Sequence, residues 1–157
     1  MNIKLIQIGK TKQKELEHLI ISYSAKLNHM VKFEMITIPD IKHTKSLNEN
    51  QQKEKEAELL QKYIHSSDWV VLLDEKGKHY TSNQFADFFQ QKMNSGIKTL
   101  VFIIGGPYGF SNKIYQIGKQ KIALSSMTFT HEMIRLLFVE QVYRACAILN
   151  HLPYHHN

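Results

Sequence analysis

Two uninterrupted apolar runs constrain the fold of this chain more than any other feature. Residues 69–73 read WVVLL and residues 100–104 read LVFII, with no polar side chain in either. A strand with one face in water alternates apolar and polar residues, whereas a strand covered on both faces reads as a continuous run. Both runs fall far short of the roughly 20 residues needed to cross a bilayer. Between them, residues 82–94 read as a helix introduced by Thr81 and Gln84 at capping-box spacing.

The rest of the chain repeats this alternation. Residues 2–8, NIKLIQI, predict a strand that stops at Gly9. Residues 12–27 predict a helix with Leu16, Leu19, Ile20 and Tyr23 on one face. Residues 32–38, KFEMITI, predict a second strand, ended by Pro39. After a polar link over 40–50 comes a charged helix near 48–64, with Ser46 and Glu49 at capping-box spacing. Ala57, Leu59, Leu60, Tyr63 and Ile64 are its only apolar stripe, so NENQQKEKEAE reads as a solvated face. A short helix near 111–118, a short strand at 121–124 and a long helix over 131–149 complete the chain. Five strands alternating with helices predict an α/β sandwich with a mostly parallel sheet. With 157 residues, no long linker and no repeat, one domain is expected.

Charge narrows the partner. Lys plus Arg is 20 and Asp plus Glu is 14, a net charge of +6. That surplus suits an anionic partner, nucleic acid first, although a merely soluble basic protein carries it equally well. The single cysteine, Cys146, excludes an internal disulfide framework and a cysteine zinc cage. It reads as a small hydrophobe inside the last helix. MNIKLIQIGKTKQKE turns charged too soon for a secretory signal, so a cytoplasmic chain with no membrane partner is expected.

In open parallel sheets, ligands lie beyond the carboxyl ends of the strands. Three strand ends carry unusual sequence: Leu73-Asp74-Glu75-Lys76-Gly77, Gly105-Gly106-Pro107-Tyr108-Gly109 and Leu124-Ser125-Ser126-Met127-Thr128-Phe129. The glycine cluster is neither a dinucleotide fingerprint nor a P-loop, because the spacing differs and no Lys-Ser/Thr pair follows. Taken alone, it reads as a tight structural turn. LSSMTF fits turn chemistry leading into a helix capped by Thr130, or a loop offering backbone groups and an apolar slot to an adenine ring.

The last helix is apolar almost all the way round, so it needs burial on more than one side. The sheet supplies one partner, and a second copy of the chain is the natural other. Glu140 and Arg144 stand i, i+4 and fit a rim ion pair. Arg135 sits among apolar residues, where a buried Arg is expected to need a carboxylate or phosphate partner. It fits equally an anchor for RNA or substrate and an ion pair at an interface. The tail, HLPYHHN, offers Tyr154 for stacking and His155 for proton donation, which suits an RNA base. Its histidines lack a completing carboxylate or cysteine, so no metal site is expected.

LLDEKGK, FIIGGPYGF, ALSSMTFTHEMIRLLFVEQVYRA and LPYHH, in this order and spacing, resemble the bacterial ribosomal RNA large subunit methyltransferase H family, a branch of the SPOUT methyltransferases. The resemblance implies a single SPOUT domain over 1–157, with a deep trefoil knot in its cofactor-binding part, about 68–157. It implies S-adenosyl-L-methionine as cofactor, held by Leu73, Gly105, Leu124, Ser125, Ser126, Met127, Thr128 and Phe129. It implies methylation at N3 of a pseudouridine in helix 69 of 23S rRNA, on the assembled 70S ribosome, by a homodimer that needs no metal. Tyr154 and His155 are then expected to position the base and assist proton movement, and Arg135 to anchor a phosphate or stabilise the uracil anion. His131 is a further candidate. Two alternatives remain at this point: a SPOUT enzyme for another RNA such as tRNA, and a non-enzymatic ribosome-binding factor.

Overall fold

The computed structural model describes residues 1–42 and 44–153. Its strands are β1 (Asn2–Ile8), β2 (Phe33–Ile38), β3 (Trp69–His79), β4 (Thr99–Ile104) and β5 (Gln120–Ala123). Its helices are α1 (Lys14–Asn28), α2 (Glu49–Gln61), α3 (Ser82–Asn94), α4 (Asn112–Ile117) and α5 (His131–Leu149). The strands form one sheet in the order β2-β1-β4-β3-β5, and every neighbouring pair is parallel.

The continuous apolar runs are explained by burial on both faces. Along β4, Leu100, Phe102 and Ile104 point to one side, and Val101 and Ile103 to the other. The first side holds Ile20 and Leu27 of α1, Phe85, Phe88 and Phe89 of α3, and Phe138 and Val142 of α5. The second side is covered by Ala57 and Leu60 of α2 and Ile114 of α4. The α3 aromatics form the densest part of the core: Phe85 and Phe89 meet edge to face at 4.9 Å, and Phe102 lies 4.7 Å from Phe138.

Helix ends follow local chemistry, with one departure from expectation. Thr81 and Gln84 close the capping box of α3. The box of α2 is closed by Asn48 and Gln51, not by Ser46 and Glu49. Ser46 ends a short 3-10 turn over Thr44–Ser46, which places Asn48 at the helix entrance instead. Helix α1 has no side-chain cap of its own. Glu132, on the first turn of α5, accepts from the main-chain N–H groups of Lys12 and Gln13, both at 3.0 Å. At the other end of α5, His151 takes the left-handed conformation (φ 54°). Its N–H reaches Ile148 O, and that of Leu152 reaches Ala147 O, which closes the helix by a Schellman arrangement.

Three further expectations are corrected. Leu19 is 47% exposed, so the buried stripe of α1 is Leu16, Ile20 and Leu27. The α2 face is not wholly solvated: Glu56 is buried, 3% exposed. Strand β3 does not stop at Leu73 but runs on to His79, with Leu73 and Lys78 both paired to Ile122 of β5. Asp74–Gly77 is therefore an outward excursion within a longer strand. Gly77 is required there, because a Cβ would lie 2.5 Å from the Ile122 backbone.

Helix α5 packs on the sheet and between α1 and α3, with Tyr23 and Tyr143 in edge contact at 5.6 Å. Helices of the same chain thus supply part of the second cover. Leu136, Leu137, Ile148 and Leu149 stay half-buried. Cys146 is buried, which pushes its thiol up to about 11, and Arg144 pairs with Glu140 at 2.6 Å. Among the described residues, no helix is long and apolar enough to cross a membrane.

Candidate functional site

The carboxyl ends of β4 and β5, together with the mid-strand excursion of β3, open into one cavity of about 540 Å³. All three unusual segments line it. Strand β3 contributes Leu73 and, from its excursion, Asp74, Glu75 and Lys76; the end of β4 and the turn after it contribute Ile104–Phe110, and the chain after β5 contributes Leu124–Phe129. Each wall has a local cause. Gly109 adopts φ 78°, and its N–H donates to Gly106 O at 3.1 Å, so the glycine cluster is indeed a tight turn. Gly105 lies against the Phe110 ring, where a Cβ would come within 3.1 Å. In the third wall, Ser125 Oγ accepts from the Met127 N–H at 2.9 Å, and Thr130 caps α5 through the Met133 N–H at 3.2 Å. This segment is turn chemistry and cavity wall at once.

The wall is polar in part and apolar in part. Asp74 accepts from the Lys76 N–H at 2.8 Å and from the Tyr115 hydroxyl at 2.6 Å. Partial burial, together with this bond to Asp74, pushes the Tyr115 phenol up to about 12. The same cavity is lined by Met127, 76% exposed, and Phe129, 40% exposed. Large apolar side chains left open beside a concave surface mark a ligand slot rather than a finished core.

The eight residues expected to hold a cofactor therefore lie on one cavity. Of the expected catalytic residues, only Arg135 is among those described. Tyr154 and His155 lie outside the described residues. Arg135 is 3% exposed and does not line the cavity. Its acceptors are neither a phosphate nor a directly bonded carboxylate: Nη2 donates to Ile8 O at 2.7 Å and Nη1 to Thr11 Oγ1 at 3.1 Å. Burial lowers its pKa, while Glu132 and Asp40 oppose that shift. One turn earlier, His131 does line the cavity, and partial burial with the nearby Arg135 charge lowers its pKa. Tyr115 and Ile134 also reach the cavity. They were not singled out from the sequence, where each reads as an ordinary apolar position of its helix.

A parallel α/β sheet whose three unusual segments converge on one cavity has the form of an enzyme-type site for a small organic ligand. Residues 1–155 match the family described as "Predicted SPOUT methyltransferase", and the chain belongs to that family. It is 56% identical over 156 residues to the ribosomal RNA large subunit methyltransferase H of Christiangramia forsetii. It is 54% identical over 156 residues to the protein of that name in Flavobacterium johnsoniae. Each alignment covers 99% of both chains. A SpoU methyltransferase from Streptomyces viridochromogenes, solved in complex with AdoMet, aligns with 91% of this chain and 57% of its own, at TM-score 0.47 and 12% identity.

Proposed function

We propose that the chain is a cytoplasmic ribosomal RNA methyltransferase that uses S-adenosylmethionine to methylate N3 of a pseudouridine in helix 69 of 23S rRNA. The observation that carries this reading is the convergence of the β3 excursion and the segments after β4 and β5 on one cavity, in a chain of this family. The residues fit such a cofactor. The volume lies within the range of about 300–1,000 Å³ typical of small-molecule sites. Met127 and Phe129 offer exposed apolar surface for a purine, and the glycine turn lets main chain approach closely. Leu73, Gly105 and Leu124–Phe129 would hold the cofactor. When bound, it supplies an electrophilic methyl group on a sulfonium.

The chain's own residues then have to bring the base in line and accept its N3 proton. Alignment of reacting atoms can contribute several kcal/mol of barrier lowering. In this reading Tyr154 orients the base by stacking and His155 assists the proton. Arg135, held by Ile8 O and Thr11, acts by fixing the β1–α1 loop and by biasing His131 toward its neutral form. The active unit is a homodimer, with the half-buried Leu136, Leu137, Ile148 and Leu149 of α5 available for the second copy. The same reading takes the chain as one domain, knotted within about residues 68–157, acting on the assembled ribosome without a metal.

Mass-spectrometric mapping of 23S rRNA, from cells with and without this protein, tests the whole reading. Loss of one methyl group from a helix 69 pseudouridine is the expected result. An unchanged helix 69 would overturn it. For the tail, a Tyr154→Phe, His155→Ala protein is expected to bind S-adenosylmethionine while methylating ribosomes at least tenfold more slowly. A wild-type rate would remove the tail from the mechanism.

A further inference from the structure

Glu56 is an anomaly of the second core. It is 3% exposed, its Oε1 accepts from Gln52 Nε2 at 2.9 Å, and its Oε2 is buried without a hydrogen-bond partner among the described residues. A carboxylate in such a place is costly, and an apolar side chain of similar volume would be favoured for stability alone. Burial raises its pKa, the Gln52 bond opposes this, and Asp40 adds to it.

The geometry shows what the carboxyl touches. A Cβ built on Gly106 would overlap both Glu56 oxygens, and it would lie 2.6 Å from the carboxyl carbon. Gly106 opens the turn that lines the cavity, and the neighbouring Gly105 lies against the Phe110 ring. Helix α2 is in turn tied to α4 by Glu54 and Lys113 at 2.8 Å. The Gly105–Gly106 main chain is thus seated against a buried carboxyl and an aromatic ring.

We propose that Glu56 is a positioning residue for the methyl-donor site: its carboxyl sets the depth of the glycine turn from behind, and glycine stands at 106 because that carboxyl occupies the space of a side chain. This rests on the reading of the cavity as the S-adenosylmethionine site, and it adds a residue from a helix that does not line the cavity.

Reciprocal substitution tests it. S-Adenosylmethionine is titrated calorimetrically into the full chain as wild type, Glu56→Gln, Glu56→Ala, Gly106→Ala and the Glu56→Ala, Gly106→Ala double variant. KM values for donor and for ribosomes are measured alongside. Alanine is the best helix former, so Glu56→Ala keeps α2, and a melting curve checks each protein. Glu56→Ala is expected to weaken donor binding and raise donor KM roughly tenfold, with ribosome KM unchanged. Glu56→Gln keeps the shape and is expected to stay within about twofold of wild type. Gly106→Ala is expected to lose roughly tenfold or more, and the double variant to recover part of that loss. Wild-type donor affinity in Glu56→Ala, or a double variant no better than Gly106→Ala, overturns the inference alone. Absence of binding by the wild-type chain overturns the donor-site reading and this inference with it.

Discussion

Replacing Arg135 by methionine separates the two roles open to this residue. Methionine keeps the length of the side chain and its burial, but removes both donors and the charge. The bond to Ile8 O, at 2.7 Å, is a buried charge-assisted contact, of a kind that contributes about 1.5–3 kcal/mol. The bond to Thr11 Oγ1, at 3.1 Å, is weaker, about 1 kcal/mol. Against these stands the relief of no longer burying a guanidinium whose Nε has no partner among the described residues, worth on the order of 1–2 kcal/mol here. The balance is a loss of about 2 kcal/mol, because Ile8 O is left inside without a donor. For a chain of this size that lowers the melting midpoint by roughly 4–8 °C. Calorimetric or urea unfolding reads it directly. A variant that melts at or above wild type would refute the clamp. A stable variant that binds donor yet fails to methylate would return Arg135 to the reaction itself.

Three smaller tests follow from other contacts. His131 has a lowered pKa, so its folded form binds protons less readily than its unfolded form. Its contribution to stability is complete above about pH 6.5 and declines as pH falls below that value. NMR titration is expected to place its midpoint below 6.5 and to move it upward in Arg135→Met. His151→Gly is expected to raise stability by about 0.5–1 kcal/mol in urea unfolding, since only the left-handed backbone (φ 54°) is relieved. Asn48→Ala removes the acceptor for the Gln51 N–H at 2.8 Å and is expected to cost about 1 kcal/mol. Ser46→Ala is expected to change stability much less, and the reverse order would contradict the assigned cap.

Patterns that repeat along the chain were readable from the sequence. The runs WVVLL and LVFII identified strands covered on both faces, and Thr81–Gln84 identified the start of α3, because period and capping are local properties. The cavity was locatable because each odd segment comes directly after a continuous or short apolar run, and the parallel sheet brings those points to one side. Other features depend on contacts distant in sequence. Glu132 caps α1 from 119 residues away along the chain, and the acceptor of Arg135 is a main-chain carbonyl 127 residues away. Neither leaves a periodic trace. Glu56 looked like one more solvated charge in a run of them, since nothing local indicates that Gly106 will sit against it. The continuation of β3 past Leu73 was hidden for a similar reason, because Asp74–Gly77 has the composition of a loop.

That excursion changes what length variation at the cavity would do. A deletion in an ordinary connecting loop shortens the connection and leaves the flanking strands alone. Here Lys78 and His79 must return to the same sheet that Leu73 left, opposite Ile122 and Ala123. Loss of one residue from Asp74–Gly77 would therefore transpose the later part of the strand by half a pleat, exchanging its inward and outward side chains. Gly77 apart, the count of residues in this stretch, more than their identity, is what the architecture is least able to forgive.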